Sequence, residues 1–327
     1  MRAFGYTVAR NPADAVRIVA GTPNSTFVAG GTDLLNLMRD GAEAHDHLVD
    51  VNRLDLDGVT VHGGVLRIGA LARMRRVAEH PVVRRELPVL SEALLASASP
   101  QVRNMAAIGG NLLQRTRCGY FRGAGSACNK RVPGSGCPAI SGHNRGHAIL
   151  GGSDHCIATH PSDLAVALTA LDATVRLLGP DGHRAVPIAE FYLLPGTTPN
   201  RETALRPGEL ITRVDVPRTP LAASSRYLKL RDRATFEFAV VSVAAALDMR
   251  GRTVRDVRLA FGGVGTRPWR DTRVEAELRG RSLTEATITE AGRVLVRNAD
   301  PHDENGFKVE LVQRALASIL GELGGVR

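Results

Sequence analysis

Aromatic side chains make up only 4% of the 327 residues, with a single tryptophan, and lysine occurs just three times. No stretch approaches the roughly 18 consecutive apolar residues of a membrane helix, and the opening segment MRAFGYTVAR lacks the apolar core of a secretory signal. The expectation is a soluble chain with no membrane insertion and no export signal of its own. Lys and Arg never run beyond two in a row, and no basic stripe interleaves with aromatics. That speaks against a nucleic-acid partner despite 42 basic and 33 acidic side chains and a net charge of +9. Hydrolytic signatures such as G-x-S-x-G and H-E-x-x-H are missing, as are a Walker loop and the G-x-G-x-x-G dinucleotide fingerprint. There is no internal repeat. With 43% apolar and 23% charged residues, the composition is globular, and the length suits about two domains at roughly 150 residues each.

Cysteine is absent from 288 residues; all four, Cys118, Cys128, Cys137 and Cys156, fall within 39 positions. Without a secretory signal this clustering suggests a metal or cluster site rather than a disulfide framework. From Arg115 to His160 the chain has nine glycines and neither helical nor strand periodicity. A loop of that length inside a compact domain needs something to organise it.

Around that stretch the pattern is regular. Helices are expected over Pro12–Ala20, Asp33–Arg39, Met74–Glu79, Leu87–Ala98 (stopped by Pro100) and Asp163–Leu171. Strands are expected at Thr26–Ala29, Leu48–Val51 and Ala173–Leu178, with hairpins turning at Gly63-Gly64 and at Gly179–Gly182. After a break at Pro217–Ser225 come strands Arg226–Arg231, Ala239–Asp248 and Thr253–Phe261, then helices over Arg267–Arg279, Thr284–Asn298 and Glu304–Leu323. Strands followed by helices indicate an α+β second domain.

Three segments carry possible chemistry. In the first, Thr26, Phe27, Val28 and Ala29 form a short strand that delivers Gly30, Gly31, Thr32, Asp33 and Leu34 to a helix start. Bare backbone N–H groups there can approach a phosphate, although one Gly-Gly pair alone is more often an ordinary tight turn. A second pair, Gly109-Gly110 in the run Ala107, Ile108, Gly109, Gly110, Asn111, offers a partner loop, so that two glycine segments clamp a diphosphate. Downstream, Asp163 can accept from ribose hydroxyls, and Ser162 or Asp163 capping the following helix is the equal alternative.

The segments AGGTDLL, AIGGNLLQ, THPSDLAVAL and PGELITRVDVP together resemble the FAD-binding subunit of the xanthine dehydrogenase family of molybdenum hydroxylases, over essentially the whole chain. The resemblance implies an α+β fold with a two-lobed PCMH-type FAD-binding domain over residues 1–220. A smaller α+β domain of the CO dehydrogenase flavoprotein C-terminal type follows at 221–327. It implies Thr26–Leu34 and Ala107–Asn111 as pyrophosphate loops, Asp163 at the ribose or adenine end and Val214 against the adenine. Lys229, in YLKLRDRATFEFA, would stand at the flavin ring, where an ammonium stabilises the charge of reduction; a surface ion pair is its plain alternative.

Residues 115–160 depart from simpler members of that family. The cysteine spacings hold no C-x-x-C pair, which weakens a zinc-ribbon reading. The run CNKRVPGSGC resembles the insertion in flavin subunits of periplasmic aldehyde oxidoreductases and, more distantly, of 4-hydroxybenzoyl-CoA reductases, which carry an additional [4Fe–4S] cluster. The resemblance therefore implies Cys118, Cys128, Cys137 and Cys156 as cluster ligands, with His143, His147, His155 and His160 structural. It further implies an electron-transfer role beside a large molybdopterin subunit and a small subunit with two [2Fe–2S] centres, as a heterotrimer or a multiple of it, with no substrate-binding catalytic residue on this chain. The compartment would be the cytoplasm, or the periplasm if a twin-arginine-signal partner carries the chain out. A xanthine dehydrogenase-like or hydroxybenzoyl-CoA reductase-like complex, a stand-alone flavin oxidase and a zinc-organised binding module are the competing readings.

Overall fold

The computed structural model describes residues 1–325; the last two positions of the expected 221–327 domain lie outside the described residues. A small parallel sheet begins the chain, built from β1 (Gly5–Val8), α1 (Pro12–Gly21), β2 (Ser25–Val28), α2 (Leu34–Asp40) and β3 (His47–Asp50), in strand order β1-β3-β2. The Asn11 side chain caps α1 by accepting from Asp14 N at 2.8 Å, and Pro12 fits the first turn because its missing N–H is not needed there. Strand β1 has no counterpart in the sequence expectation: Gly5–Val8 is short and its Tyr6 is exposed.

A five-stranded antiparallel sheet forms the second lobe, in the order β4 (Val59–His62), β5 (Val65–Gly69), β8 (Leu210–Pro217), β6 (Thr174–Gly179), β7 (Gly182–Pro187). Central strand β8 pairs Val214 with Ile68 on one side and Val175 on the other. On this sheet pack α3 (Met74–Ala78), α4 (Pro81–Glu86), α5 (Pro88–Ala96), α6 (Pro100–Met105), α7 (Ile108–Leu112), α9 (Asp163–Ala170) and α10 (Ile188–Phe191). Pro100 opens a helix rather than only ending one: Ser99 Oγ accepts from Val102 N, and proline occupies the first turn.

The final body is an antiparallel sheet in the order β11 (Thr253–Gly262), β10 (Val241–Arg250), β9 (Ser225–Leu230), preceded by α11 (Pro220–Ala223). It is covered by α12 (Thr272–Leu278), α13 (Glu285–Val296) and α14 (Phe307–Gly324). All eight residues of α9 are buried, Asp163 and Thr169 among its otherwise apolar side chains, because α5 lies against it on one side and β10 and β11 on the other. This places the start of α9 where the second lobe meets β9. The 115–160 segment, apart from α8 (Gly119–Arg122), is irregular. It reaches into the C-terminal body, where Ile149 and Leu150 join the core and Ile149 N donates to Val264 O at 2.9 Å. Among the described residues no helix is long and apolar enough to cross a membrane.

Candidate functional site

A cleft of about 700 Å³ opens where the three bodies meet, a size suited to a large organic ligand. Every residue from Thr26 to Leu34 lines it, and Ala107, Gly110, Asn111, Asp163 and Lys229 line it too. The first glycine segment packs against the backbone that leads into the second. A Cβ placed on Gly30 would lie 2.8 Å from the Met105 carbonyl carbon and 3.2 Å from Ala106 Cα, so only glycine allows this approach. Gly31 has φ +67°, the left-handed conformation glycine adopts without strain. Arg73 fastens the junction: it donates to Met105 O at 2.6 Å and to Asn52 Oδ1 at 2.9 Å, and the Asn52 amide donates to Ala29 O at 3.0 Å.

Three expected contacts are not on the cleft. Val214 has no exposed surface and fills the core between β5 and β6. Ile108 and Gly109 are also buried, and their amides are already used, Ile108 N donating to Ala72 O and Gly109 N to Ala70 O. Only part of the second glycine segment can therefore face a ligand.

Ser162, not Asp163, caps α9, with Oγ accepting from Ala165 N at 3.0 Å. The Asp163 carboxylate is thereby free and accepts from Ser97 Oγ (3.0 Å), Tyr227 OH (2.6 Å) and Lys229 Nζ (2.8 Å). Both members of the ion pair are buried. Sequence reading sends Asp163 and Lys229 to opposite ends of an extended dinucleotide; they sit together, at one end. Lys229 Nζ also donates to Ala96 O at 3.1 Å, which leaves one of its three N–H groups for a ligand. Burial, with Asp163 alongside, holds the Tyr227 phenol well above its ordinary pKa, so it stays a donor. Tyr227 and Ser97 escaped the sequence reading. Spacing gives a signal for Tyr227, which lies two residues before Lys229 on β9 and so shares its face; nothing local marks Ser97.

All four cysteines line a second, smaller cavity together with Asn129, Lys130 and His147. They form no disulfide. The segment between Cys128 and Cys137 is closed by Asn129, whose N–H donates to Gly136 O at 2.8 Å and whose Oδ1 accepts from Gly136 N at 2.7 Å. Gly134 and Gly136 supply the positive φ that this return requires. Backbone N–H groups point at the sulfurs: those of Tyr120 and Phe121 at Cys118, of Ile157, Ala139 and Ile140 at Cys137, and of Ala158 at Cys156. Burial pushes the Cys118 thiol up to about 11 and raises those of Cys137 and Cys156. Among the described residues, no three His, Cys, Asp or Glu side chains converge closely enough to hold a single metal ion. Of the neighbouring histidines, His143 pairs with Glu304 and His160 packs edge-on against Tyr192.

An ionic network joins the two cavities. Arg115 N donates to Asp33 at 2.8 Å, and the guanidinium groups of Arg117 and Arg122 both reach the same carboxylate. The Arg115 guanidinium bridges Glu43 and Glu202, and Glu202 pairs with Lys130 at 2.8 Å. Asp33 is thus occupied by the cysteine-bearing segment, although it also faces the cleft. Burial raises its carboxyl above the ordinary value, opposed by the Arg115 amide and the arginine charges.

The family described as FAD binding domain in molybdopterin dehydrogenase matches residues 2–219, and the CO dehydrogenase flavoprotein C-terminal domain matches 226–323. The aldehyde oxidoreductase FAD-binding subunit PaoB of Escherichia coli (strain K12) is 49% identical over 325 residues, covering 98% of each chain. The glyceraldehyde dehydrogenase medium chain of Sulfolobus acidocaldarius is 28% identical, covering 93% of this chain and 91% of its own. Among solved structures, a chain of the carbon monoxide dehydrogenase from Hydrogenophaga pseudoflava superposes with a TM-score of 0.76 at 25% identity, over 98% of this chain and 96% of that one. A family match over more than half of the chain, with a near-complete relative at this identity, means that the chain belongs to the FAD-binding medium subunits of the molybdenum hydroxylase family.

Proposed function

We propose that this chain is the FAD- and [4Fe–4S]-binding electron-transfer subunit of a molybdenum-containing aldehyde oxidoreductase. In this reading residues 1–220 hold FAD, 115–160 carry the cluster and 221–327 form the C-terminal domain. Four cysteine sulfurs facing one cavity, tied by Arg115, Arg117 and Arg122 to the glycine cleft, are the observation that carries it. The residues suit both groups. Two neighbouring glycine segments leave backbone exposed to a diphosphate, and four buried or half-buried sulfurs, three of them supplied with N–H donors, match the thiolate set of a four-iron cluster. The absence of a C-x-x-C pair among the four cysteines favours a cluster over a zinc ion.

Bound FAD supplies one- and two-electron chemistry, and a bound cluster supplies one-electron chemistry. The protein's part is to place them. Thr26–Leu34 with Ala107, Gly110 and Asn111 would receive the diphosphate, while Ile108, Gly109 and Val214 serve as framework. The free Lys229 N–H would face the flavin ring, its charge moderated by Asp163, whose carboxylate Tyr227 also holds. Cys118, Cys128, Cys137 and Cys156 would ligate the cluster and close water out of its cavity.

The identity to a subunit named for aldehyde oxidoreductase favours an aldehyde-oxidising complex. Its partners would be a large molybdenum-cofactor subunit and a small [2Fe–2S] subunit, in a heterotrimer or a multiple of it. Electrons would enter from the partner iron–sulfur centres and leave to an external acceptor. Co-purification of the three chains, with aldehyde-dependent reduction of a dye, tests the reading. Recovery of this chain alone, without flavin, would reject it. The fraction that yields the complex decides between the cytoplasm and a periplasmic location as passenger of a twin-arginine partner.

A further inference from the structure

We propose that His147 donates a hydrogen bond to the Cys118 sulfur and thereby sets the reduction potential of the cluster; the inference rests on the [4Fe–4S] reading above. His147 Nε2 lies 3.2 Å from Cys118 Sγ, and the ring lines the cysteine cavity with 8% of the residue exposed. Among the described residues it is the histidine within hydrogen-bond distance of a cysteine sulfur.

The proton is assigned by what surrounds each ring nitrogen. Nδ1 is buried without a partner. A proton there would leave an N–H with no acceptor, whereas a bare lone pair is a smaller loss. Placed on Nε2, the proton meets the sulfur. A cluster-ligating thiolate can only accept, so the bond runs from Nε2–H to Cys118.

The His147 backbone is held both within its own segment and from α14. His147 N donates to Asn144 O at 2.8 Å, and its carbonyl accepts from Lys308 Nζ of α14 at 2.9 Å. The contact from Lys308 ties the His147 backbone to the C-terminal body. One-electron reduction of the cluster adds one negative charge, shared with its thiolates. A neutral donor aimed at one of them stabilises that reduced form, so it raises the potential. No proton is transferred.

The test uses the complete complex, purified without oxygen, with His147→Leu, His147→Met and His147→Gln variants. Iron is measured, and the cluster signal is followed by electron paramagnetic resonance during titration with dithionite. His147→Leu and His147→Met are expected to keep iron but reduce at a lower potential, and His147→Gln, which retains an N–H, to return toward the wild type. Iron loss confined to the two variants without a donor also supports the hydrogen bond. A wild-type potential in iron-replete His147→Leu or His147→Met overturns the proposal, as does iron loss from all three variants, which would indicate packing or ligation. Absence of a four-iron cluster from the wild type would instead sink the cluster reading itself.

Discussion

Gly30→Ala tests the contact on which the cleft is built. The added Cβ would lie 2.8 Å from the Met105 carbonyl carbon, with the carbonyl oxygen closer still. Carbon atoms at optimal separation stand about 3.5–4.0 Å apart, so the two glycine segments must part by about 1 Å. The obstacle is backbone on both sides, and no side chain can rotate away. The same displacement pulls Met105 O from Arg73, whose bond to it is 2.6 Å. Overpacking of this kind costs about 1–3 kcal/mol of stability. If the same strain is felt when the flavin diphosphate binds, affinity falls by about tenfold per 1.4 kcal/mol. FAD retained by the purified complex after desalting, together with its unfolding temperature, reads both effects. Gly21→Ala is the control, since nothing lies within 4 Å of its added Cβ. Wild-type FAD retention and an unchanged unfolding temperature in Gly30→Ala would refute the reasoning.

Replacing Cys118, Cys128, Cys137 or Cys156 by Ser should lower iron content and expose residues 115–160 to limited proteolysis, because ligation and loop ordering are coupled; full iron in all four variants refutes this. Lys229→Met strands the buried Asp163 carboxylate and should destabilise by about 3–5 kcal/mol in denaturant unfolding, and a loss below about 1 kcal/mol, as for an exposed pair, counts against it. Asp33→Asn removes the carboxylate shared by Arg117 and Arg122, so iron and FAD contents should fall together, while loss of neither shows the network to be idle. Burial pulls the buried Lys308 down to about 7 from its ordinary 10.5. The folded chain then releases this proton before the unfolded one does, so the group adds stability as pH rises from 7 to 10.5. Lys308→Met should flatten that slope in unfolding measurements, and an unaltered slope contradicts the assignment.

Local patterns made much of the fold readable. Hairpins at Gly63-Gly64 and Gly179–Gly182, the strands of the third sheet and α9 stand close to where alternation and capping residues put them. Strand β8, inside the PGELITRVDVP segment, has no counterpart in the sequence expectation, because its identity comes from lying between β5 and β6, a long-range pairing. The gathering of cysteines was visible as clustering along the chain, but their common cavity depends on Asn129 closing its loop on Gly136. The resemblance sets Asp163 and Lys229 at different parts of the ligand, and nothing local shows that these residues, 66 apart, meet because α9 starts beside β9. Val214 shows the converse, an apolar residue whose burial answers to sheet packing.

The account is tested most directly by counting iron and FAD per copy in complexes purified without oxygen, comparing the wild type with Cys128→Ser. It predicts one FAD in the wild type and about four fewer irons in the variant, the content of one [4Fe–4S] cluster. Equal iron in the two preparations, or a wild-type complex without flavin, would contradict it.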